Sequence, residues 1–409
     1  MTHWLRVTTV KMKNNNACRW LLTGLVMILL ATSFATADGI PVKVELIDGS
    51  SLDIQLLGID SSGNLLVQGS DRKLALADLV SIETATPETA FDKSQSRLIF
   101  VDGGEARAKN FVLDGDAVAF ADSVIQSPVS MELVRAIILK NDTAVDQAMV
   151  KDLSDKDQVV VVSEGQAVTL EGVLEGISAE KVLLNFEGKS RSISRDKVLA
   201  VVFANLSGGK SAETGLSAIF ADGSRLNGNL QDWQNGNLTL KLREKTVIVP
   251  AQHLSRLEIR SDRLRFVSDI ESLVAESKPI FSPNRPWQRN LSVEGNPLTL
   301  QMDGGKRQIF RRGIGLSAYS KLVVPNQGKF EKLLGWVGID AETEGRGNCR
   351  VLVRGDGITL FDRQILGNVP AIPLDLDISG VEQIELIVEP GEQFDLSDHV
   401  DFANLRMTK

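Results

Sequence analysis

The chain has 409 residues, of which 43% are hydrophobic and 24% are charged, and its formal net charge is −8. An acidic chain has no electrostatic reason to hold a phosphate backbone, which requires clustered lysine and arginine, so nucleic-acid binding is not expected. The two cysteines, Cys18 and Cys349, are too few for a disulfide framework or a cysteine-based metal site. Stability is therefore expected to come from hydrophobic cores.

The first 37 residues have the pattern of a secretory signal peptide. A basic stretch without acidic residues precedes a short apolar run from Leu21 to Ala31, and Ala35-Thr36-Ala37 forms an A-x-A cleavage site before Asp38. The apolar run is too short for a comfortable membrane span, although a retained N-terminal membrane anchor is the alternative. The sequence thus predicts a cleaved signal and a secreted or periplasmic product.

The next 220 or so residues contain four copies of one small β unit. Each copy begins with a β-rich run and a tight turn in which an acidic residue precedes a glycine. The turn glycines are Gly49, Gly103, Gly165 and Gly223. An acidic residue followed by glycine between β-rich runs predicts a hairpin, because glycine supplies the positive φ that primed turns demand. Each copy is therefore expected to open with a hairpin.

Each copy closes with a short polar turn and a final apolar strand, which is centred near Ile82, Ile137, Val201 or Leu257. Five short strands with a helical turn before the last resemble, in plan only, an SH3-like or Sm-like small barrel. Units of this size sit at the margin of independent stability, so we expect them to pack in pairs. The predicted pairs are the first with the second, over residues 38–140, and the third with the fourth, over residues 155–262.

Two connections complete the repeat region. The polar segment between the second and third copies, residues 140–158, is expected to hold one short helix. Residues 205–215, between the third and fourth copies, are rich in serine and glycine and predict a flexible connection.

The last third of the chain is a series of short apolar runs of period two, separated by Gly, Asp and Asn turns. This alternation predicts an antiparallel β-sandwich. The fold class expected for the whole chain is therefore all-β, with tandem small SH3-like β-barrel repeats followed by a jelly-roll-like β-sandwich over residues 263–409.

The order of motifs in this last third resembles the NPCBM domain, a carbohydrate-binding module of bacterial exported proteins. The resemblance covers about Pro286 to Met407 and rests on a PL-L strand, a GIG segment, a hydrophobic-Gly-hydrophobic-Asp strand end, an Asp-Gly hairpin and a closing Asp-His-x-Asp-aromatic string. These motifs contain, in chain order, Pro297, Leu298, Leu300, Gly313, Ile314, Gly315, Val337, Gly338, Ile339, Asp340, Asp356, Gly357, Asp398, His399, Asp401 and Phe402. The resemblance implies a jelly-roll-like β-sandwich that binds sugar.

The chain departs from the family pattern at two positions. The family often has a histidine soon after GIG, where this chain has Ser317, and often closes on tryptophan, where this chain has Phe402. The resemblance therefore implies a sugar site that is weakened or absent if those two side chains contact the ligand.

Five residues of the last third are the predicted ligand-binding candidates. Asp340 and Glu342 follow a strand in a glycine-closed loop that could present carboxylates to a sugar or to calcium, although a solvated acidic loop is the alternative. Asp398 and His399 belong to a string that can orient an imidazole, although a hydrogen-bonded structural histidine is the alternative. Tyr319 is the best candidate for an exposed ring that stacks on a sugar.

The sequence therefore predicts an exported, non-catalytic protein that binds carbohydrate or cell-envelope polysaccharide through its C-terminal sandwich. A structural or protein-interaction scaffold that binds envelope proteins and no sugar is the alternative, because small β units offer exposed edges. A glycosidase is not expected, since small repeats leave no room for a catalytic barrel around two carboxylates. No catalytic residue and no cofactor are predicted, and calcium remains an open possibility.

Overall fold

The computed structural model describes residues 39–70, 73–89, 96–140, 145, 155–204, 215–243, 245–278, 280, 285–391, 394 and 396–409. The predicted signal peptide and the predicted flexible connection at 205–214 lie outside the described residues. So does most of the segment predicted to hold a short helix, of which Val145 is described and is helical. Among the described residues, no helix combines the length and the apolar character needed to cross a membrane.

The described elements bear out an all-β fold, and the four repeat units share one plan. The first unit comprises β1 (Ile40–Leu46), β2 (Ser51–Ile59), β3 (Asn64–Val67), β4 (Leu74–Ala75) and β5 (Leu79–Thr84). The second comprises β6 (Ser96–Phe100), β7 (Glu105–Ala108), β8 (Asn110–Asp114), β9 (Ala117–Ala121), β10 (Val129–Ser130) and β11 (Val134–Ile138). The third comprises β12 (Asp157–Ser163), β13 (Gln166–Ile177), β14 (Lys181–Phe186), β15 (Lys189–Ser194) and β16 (Val198–Val202). The fourth comprises β17 (Gly215–Phe220), β18 (Arg225–Gln234), β19 (Asn237–Leu242), β20 (Lys245–Pro250) and β21 (Leu254–Arg260).

In every unit the first strand pairs antiparallel with both the second and the last strand. These pairings are β1 with β2 and β5, β6 with β7 and β11, β12 with β13 and β16, and β17 with β18 and β21. A 3-10 turn precedes each last strand, at Leu76–Asp78, Met131–Leu133, Arg195–Lys197 and Ala251–His253. The short helical turn before each last strand follows the predicted plan, while the description of each unit as a small barrel stays a prediction.

The opening hairpins form where the sequence predicts them. Gly49, Gly103, Gly165 and Gly223 have φ values of 92°, 81°, 78° and 82°, a region that favours glycine. In the third unit, Ser163 pairs with Gln166, so Glu164 and Gly165 form a two-residue turn in which both residues have positive φ. This is the backbone that a type I′ hairpin requires.

The units pair differently from the sequence prediction. The last strand of the first unit pairs with that of the fourth, with Ile82 opposite Leu257, and the last strand of the second pairs with that of the third, with Ile137 opposite Val201. All four side chains are fully buried. The predicted pairing of neighbours along the chain is wrong because each unit joins its partner through the final apolar strand, and the partner is set by three-dimensional fit rather than by sequence order.

The two pairs form a single body. Additional pairing of β13 with β8, β18 with β2 and β18 with β7 joins all 21 strands into one continuous sheet. Most of the buried apolar residues of the four units also merge into one core cluster, whose largest side chains include Phe111, Phe220 and Trp233. Units that are too small to bury a sufficient core alone thus share one.

The remaining strands form a β-sandwich of two antiparallel sheets. One sheet has the order β24 (Gln288–Arg289), β27 (Gly313–Ser317), β34 (His399–Thr408), β29 (Lys332–Ile339) and β32 (Ile372–Asp377), and β22 (Leu264–Phe266) also pairs with β34. The other has the order β23 (Val274–Ser277), β28 (Ser320–Pro325), β33 (Gln383–Pro390), β30 (Asn348–Gly355) and β31 (Ile358–Leu366). The inner faces of both sheets bury alternate apolar residues, among them Ile314, Val351, Leu386 and Phe402.

A two-stranded hairpin adds a third layer to part of the sandwich. It consists of β25 (Leu298–Gln301) and β26 (Arg307–Phe310) and lies on the outer face of the first sheet. Leu298, Leu300 and Phe310 form a small buried cluster with Ala403 of β34, against which Trp336 packs. This part of the outer face is therefore covered by the hairpin rather than exposed to solvent.

Polar contacts join the sandwich to the repeat body. Arg312 lies 2.9 Å from Glu258 of β21, and Asn404 donates to Glu45 of β1 at 2.9 Å. The buried side chain of Arg406 lies 3.7 Å from the same Glu45 carboxylate. The contact with the body thus involves the first and fourth units, which are themselves a pair.

Candidate functional site

A polar cluster lies on the outer face of the first sheet, where β27, β34 and β29 meet. His399 and Asp401 are two residues apart on β34, so their side chains share one face. Ser317 of β27 lies opposite His399, and Gly315 lies opposite Asp401. The imidazole of His399 and the carboxyl group of Asp401 thus lie side by side on this face, and the small residues Ser317 and Gly315 lie opposite them on β27.

Glu342 is the centre of this cluster. Its Oε1 lies 2.9 Å from Nδ1 of His399, and its Oε2 accepts hydrogen bonds from Ser292 Oγ at 2.7 Å and from Asn296 Nδ2 at 2.9 Å. A carboxylate with this many partners is held in one orientation. Glu342 therefore fixes the imidazole of His399 against the segment that carries Ser292 and Asn296.

Asp340 holds the loop that carries Glu342. Its Oδ1 accepts the backbone N–H of Glu342 at 2.7 Å, and its Oδ2 accepts that of Thr299 at 2.9 Å. The side chain is 1% exposed, so the predicted open carboxylate loop is wrong for this residue. Asp340 acts as the N-cap of the 3-10 turn Ala341–Thr343 and as an anchor for β25, and it is not available to a ligand.

Asp401 is a buried acid without a donor of its own. Neither of its carboxyl oxygens has a hydrogen-bond donor in normal geometry among the described residues, and the residue is 1% exposed. Burial, followed by the adjacent Asp340 carboxylate, raises the pKa of Asp401 well above its ordinary value. Burial beside a second carboxylate therefore favours the protonated form of Asp401.

The cluster reaches solvent at Glu294, which the sequence analysis missed. Its Oε1 accepts from Arg285 Nη2 at 2.6 Å and lies 3.8 Å from His399 Nε2. The Glu294 side chain is 39% exposed, against 12% for His399 and 13% for Glu342. The mouth of the cluster therefore presents a carboxylate, a guanidinium, an imidazole and the exposed amide of Asn296.

The segment that carries these groups can lie close to the sheet because Gly315 has no side chain. A Cβ at this position would come within 2.5 Å of the carbonyl oxygen of Leu291 and 3.0 Å of the backbone nitrogen of Val293. Such separations are far below van der Waals contact. The glycine therefore sets the height of residues 291–296 over His399 and Asp401.

Replacing Gly315 by Ala should displace the segment at 291–296. We expect a loss of about 1–3 kcal/mol in the free energy of unfolding, because the new Cβ meets backbone that cannot rotate away. Urea unfolding followed by circular dichroism measures it. Gly176→Ala is the matched control, since a Cβ on that β13 glycine has no heavy atom within 4 Å, and equal stability of the two variants would contradict the prediction.

Two other predicted site residues, Asp398 and Tyr319, lie outside the cluster. Asp398 is 1% exposed, and its Oδ1 accepts the backbone N–H of Asn348 at 2.8 Å. Tyr319 has a φ of 59° in the turn after β27, and its half-buried ring packs against the sandwich core. The structure thus brings Asp340, Glu342 and His399 together and places Asp398 and Tyr319 in other surroundings.

The two departures from the family pattern occupy different environments. Phe402 is fully buried in the sandwich core, so this position offers no stacking face to a sugar. Ser317 lies on the cluster face opposite His399, and its hydroxyl is buried without a hydrogen-bond partner among the described residues. A larger polar side chain here would meet the cluster directly.

The structure offers no evidence for a metal centre in the described part of the chain. No group of three or more His, Cys, Asp or Glu side chains there is arranged to hold a metal ion. The oxygens of Asp340 and Glu342 already accept hydrogen bonds. Cys349 is buried, and burial followed by the nearby Asp398 charge raises the pKa of its thiol, which keeps it unreactive.

The sandwich is similar in sequence to a known domain family. Residues 265–408 match the NPCBM/NEW2 domain. The resemblance that the motifs predict is thereby confirmed, and the matched range agrees with the extent of the two sheets, from β22 to β34. The NPCBM/NEW2 domain accounts for about a third of the chain, and no curated protein sequence matches the chain.

Solved structures with similarity to the chain include several CBM51 modules. The CBM51 of Clostridium perfringens GH95 in complex with methyl-galactose is 23% identical, with 36% of this chain and 99% of that chain covered, at a TM-score of 0.33. CBM51-2 with INT domains of C. perfringens ZmpB, in complex with GlcNAc, is 21% identical, with 42% and 37% covered, at 0.34. The tandem CBM51 modules of Sp3GH98 from Streptococcus pneumoniae SP3-BS71 are 13% identical, with 90% and 88% covered, at 0.32.

Proposed function

We propose that this protein binds carbohydrate through its NPCBM/NEW2 domain, at the mouth of the cluster formed by Arg285, Glu294, Asn296, Glu342 and His399. The observation that carries the proposal is the match of residues 265–408 to that domain. The cluster supports it, since it is a polar group of side chains that touches solvent and is rigidly held from behind by Glu342.

The chemistry of the mouth suits a sugar. Each hydroxyl of a sugar both donates and accepts hydrogen bonds, and here a carboxylate acceptor (Glu294) lies beside donors on Arg285 and Asn296. Because Glu342 and Asp340 fix the backbone and ring positions, little conformational entropy remains to be lost when a ligand binds. Recognition would therefore rest on hydrogen bonds rather than on an aromatic platform.

In this proposal the protein is exported and not catalytic. Export rests on the predicted signal peptide, and the absence of catalysis rests on the modular character of the matched domain. The four repeat units would act as a spacer or docking body for the sandwich. The carbohydrate of the cell envelope is the ligand class that such a protein would meet.

The sharpest test removes the exposed carboxylate. Glu294→Ala in the full chain should weaken binding to a glycan that the wild type retains on a glycan array by about tenfold or more, as expected for the loss of a charge-assisted hydrogen bond. Glu331→Ala is the matched control, since Glu331 is exposed on the same sandwich outside the cluster. Retention of no polysaccharide by the wild type, or equal binding by Glu294→Ala, would reject the proposal.

A structural or protein-interaction scaffold is the second candidate. It is favoured by exposed apolar side chains on the first two strands of the third unit, β12 and β13. Val162, Val168 and Val173 on these strands are 37%, 43% and 62% exposed. A pull-down with envelope extract would support it if proteins are recovered, no glycan is retained, and Val173→Lys abolishes the recovery.

A further inference from the structure

A large cleft lies between the repeat body and the sandwich, away from the His399 cluster. Its volume is about 1020 Å³, enough for several sugar rings. One wall comes from β1, β5 and β21 of the paired first and fourth units, and the other comes from residues 264–272 and 308–312. Both bodies are therefore needed to form it.

Basic side chains converge on this cleft although the chain as a whole is acidic. The six basic residues that line it are Lys43, Arg256, Arg260, Arg265, Arg311 and Arg312, and the five acidic ones are Glu45, Glu83, Glu258, Asp269 and Glu271. The whole chain has 45 basic against 53 acidic residues, so the balance of charge is reversed here. The lining therefore has a net charge of +1, against −8 for the whole chain, and its cations offer local partners to an anion.

The acidic residues of the cleft do not satisfy all of its cations. The buried Glu258 is shared by three guanidiniums, those of Arg225, Arg256 and Arg312. Lys43 and Arg265 are exposed, and neither has an ion-pair partner among the described residues. Two cations thus line the cleft without a direct ion pair, although Lys43 has Asp53 and Glu83 opposite it on the neighbouring strands.

The arginines also act on one another. Burial, followed by the charge of Arg311, lowers the pKa of Arg256. Repulsion between neighbouring guanidiniums is therefore part of the unliganded structure. A negatively charged group placed between them would relieve it.

Aromatic rings give the cleft apolar surface as well. Trp336 is half-buried where the β25–β26 hairpin meets the cleft. The buried Phe310 also lines the cleft there. The guanidinium of Arg312 lies 4.6 Å from the ring centre of Phe266 and is held there by Asp269 at 2.5 Å. Aromatic surface beside planar cations suits a ligand that combines apolar ring faces with anionic groups.

We propose that this cleft binds an anionic saccharide, one that carries carboxylate or sulfate groups. The guanidiniums and Lys43 would bind the anionic groups, and Trp336 would contact a ring face. This site is separate from the His399 cluster and would give the protein a second contact on the same or another polysaccharide chain.

The test compares three oligosaccharides of equal length with the full chain by isothermal titration calorimetry. They are an oligogalacturonate, a sulfated galactan fragment and a neutral galactan fragment. We expect the anionic probes to bind, the neutral probe to bind at least tenfold more weakly to the cleft, and affinity for the anionic probes to fall with added salt. Comparison of the two anionic probes shows whether carboxylate or sulfate is preferred.

Charge reversal at the two exposed cations decides whether the cleft is the site. The double variant Lys43→Glu/Arg265→Glu should bind the preferred anionic probe about tenfold more weakly. Its thermal unfolding is measured alongside, to verify that it stays folded at the assay temperature, because Lys43 lies across the sheet from Asp53 and Glu83 and a glutamate there meets two like charges. Lys189→Glu/Arg191→Glu, on the exposed strand β15, is the matched control and should bind as wild type.

Two results would overturn the proposal. One is the failure of both anionic probes to bind, and the other is equal loss of binding in the cleft variant and the β15 control. The Glu294→Ala variant distinguishes failure of the cleft proposal from failure of the proposed function. It should retain binding of the anionic probes in the cleft while it loses glycan binding at the His399 cluster.

Discussion

The Asp401→Asn variant should be more stable than the wild type at neutral pH, and its stability should depend less on pH. In the folded protein, burial and Asp340 raise the pKa of Asp401 well above its ordinary 3.8, so the folded state keeps a proton that the unfolded chain releases. The wild-type contribution is therefore fully present below the unfolded pKa and is lost as the pH rises toward and through the folded pKa. Each pH unit in that window costs about 1.4 kcal/mol for one proton.

An asparagine at this position avoids that cost. Its amide can donate to Asp340 in the same place but does not ionise, so the pH-dependent loss disappears. Urea unfolding at pH 4, 5, 6 and 7 gives the free energy of unfolding of both proteins, and the difference between them should grow with pH. Asp303→Asn, at an exposed turn of the β25–β26 hairpin, is the control. Parallel pH curves for Asp401→Asn and wild type would refute the assignment of Asp401 as a protonated acid.

The second large effect is expected at Phe402. Its ring is fully buried between the two sheets, so Phe402→Ala should lower the free energy of unfolding by about 3–5 kcal/mol through lost burial and the cavity that remains. Phe402→Trp should cost about 1–3 kcal/mol, because the core is already filled around the smaller ring. Differential scanning calorimetry and urea unfolding measure both changes.

The matched control for Phe402 is Phe394→Ala, since that ring is 55% exposed. Its effect should stay within about 0.5 kcal/mol, as for most surface substitutions. If Phe402→Ala instead left stability unchanged and abolished glycan binding, the residue would be a ligand contact and its assignment to the core would be wrong.

Much of the local structure could be predicted from the sequence. Alternation of apolar residues gave the strands, and Gly49, Gly103, Gly165 and Gly223 marked the hairpins because a positive φ is a local requirement. The pairing of the units could not be predicted in the same way. Ile82 and Leu257 meet across a sequence separation of 257 − 82 = 175, and nothing local distinguishes that match from a match with the neighbouring unit.

The candidate site was predicted in part. Glu342 and His399 were each predicted as candidates without their proximity, and the period of two in the closing string already places Asp401 on the same face as His399. Glu294 and Ser292 were missed because they belong to a segment that covers the sheet as an additional layer. Alternation reports which side of a strand is covered and does not report what covers it, so Asp340 could not be recognised as buried.

The nesting of the repeat pairs has a consequence for the order in which a nascent chain can fold. The second and third units form the inner pair, which is complete once Val202 has left the ribosome. The first and fourth units form the outer pair, and the strand that completes it ends at Arg260. The first unit must therefore wait, with the final strand Leu79–Thr84 unpaired to its partner, while more than a hundred residues are synthesised and the inner pair closes. A holding factor that shields bare strand edges would have its main task during that interval.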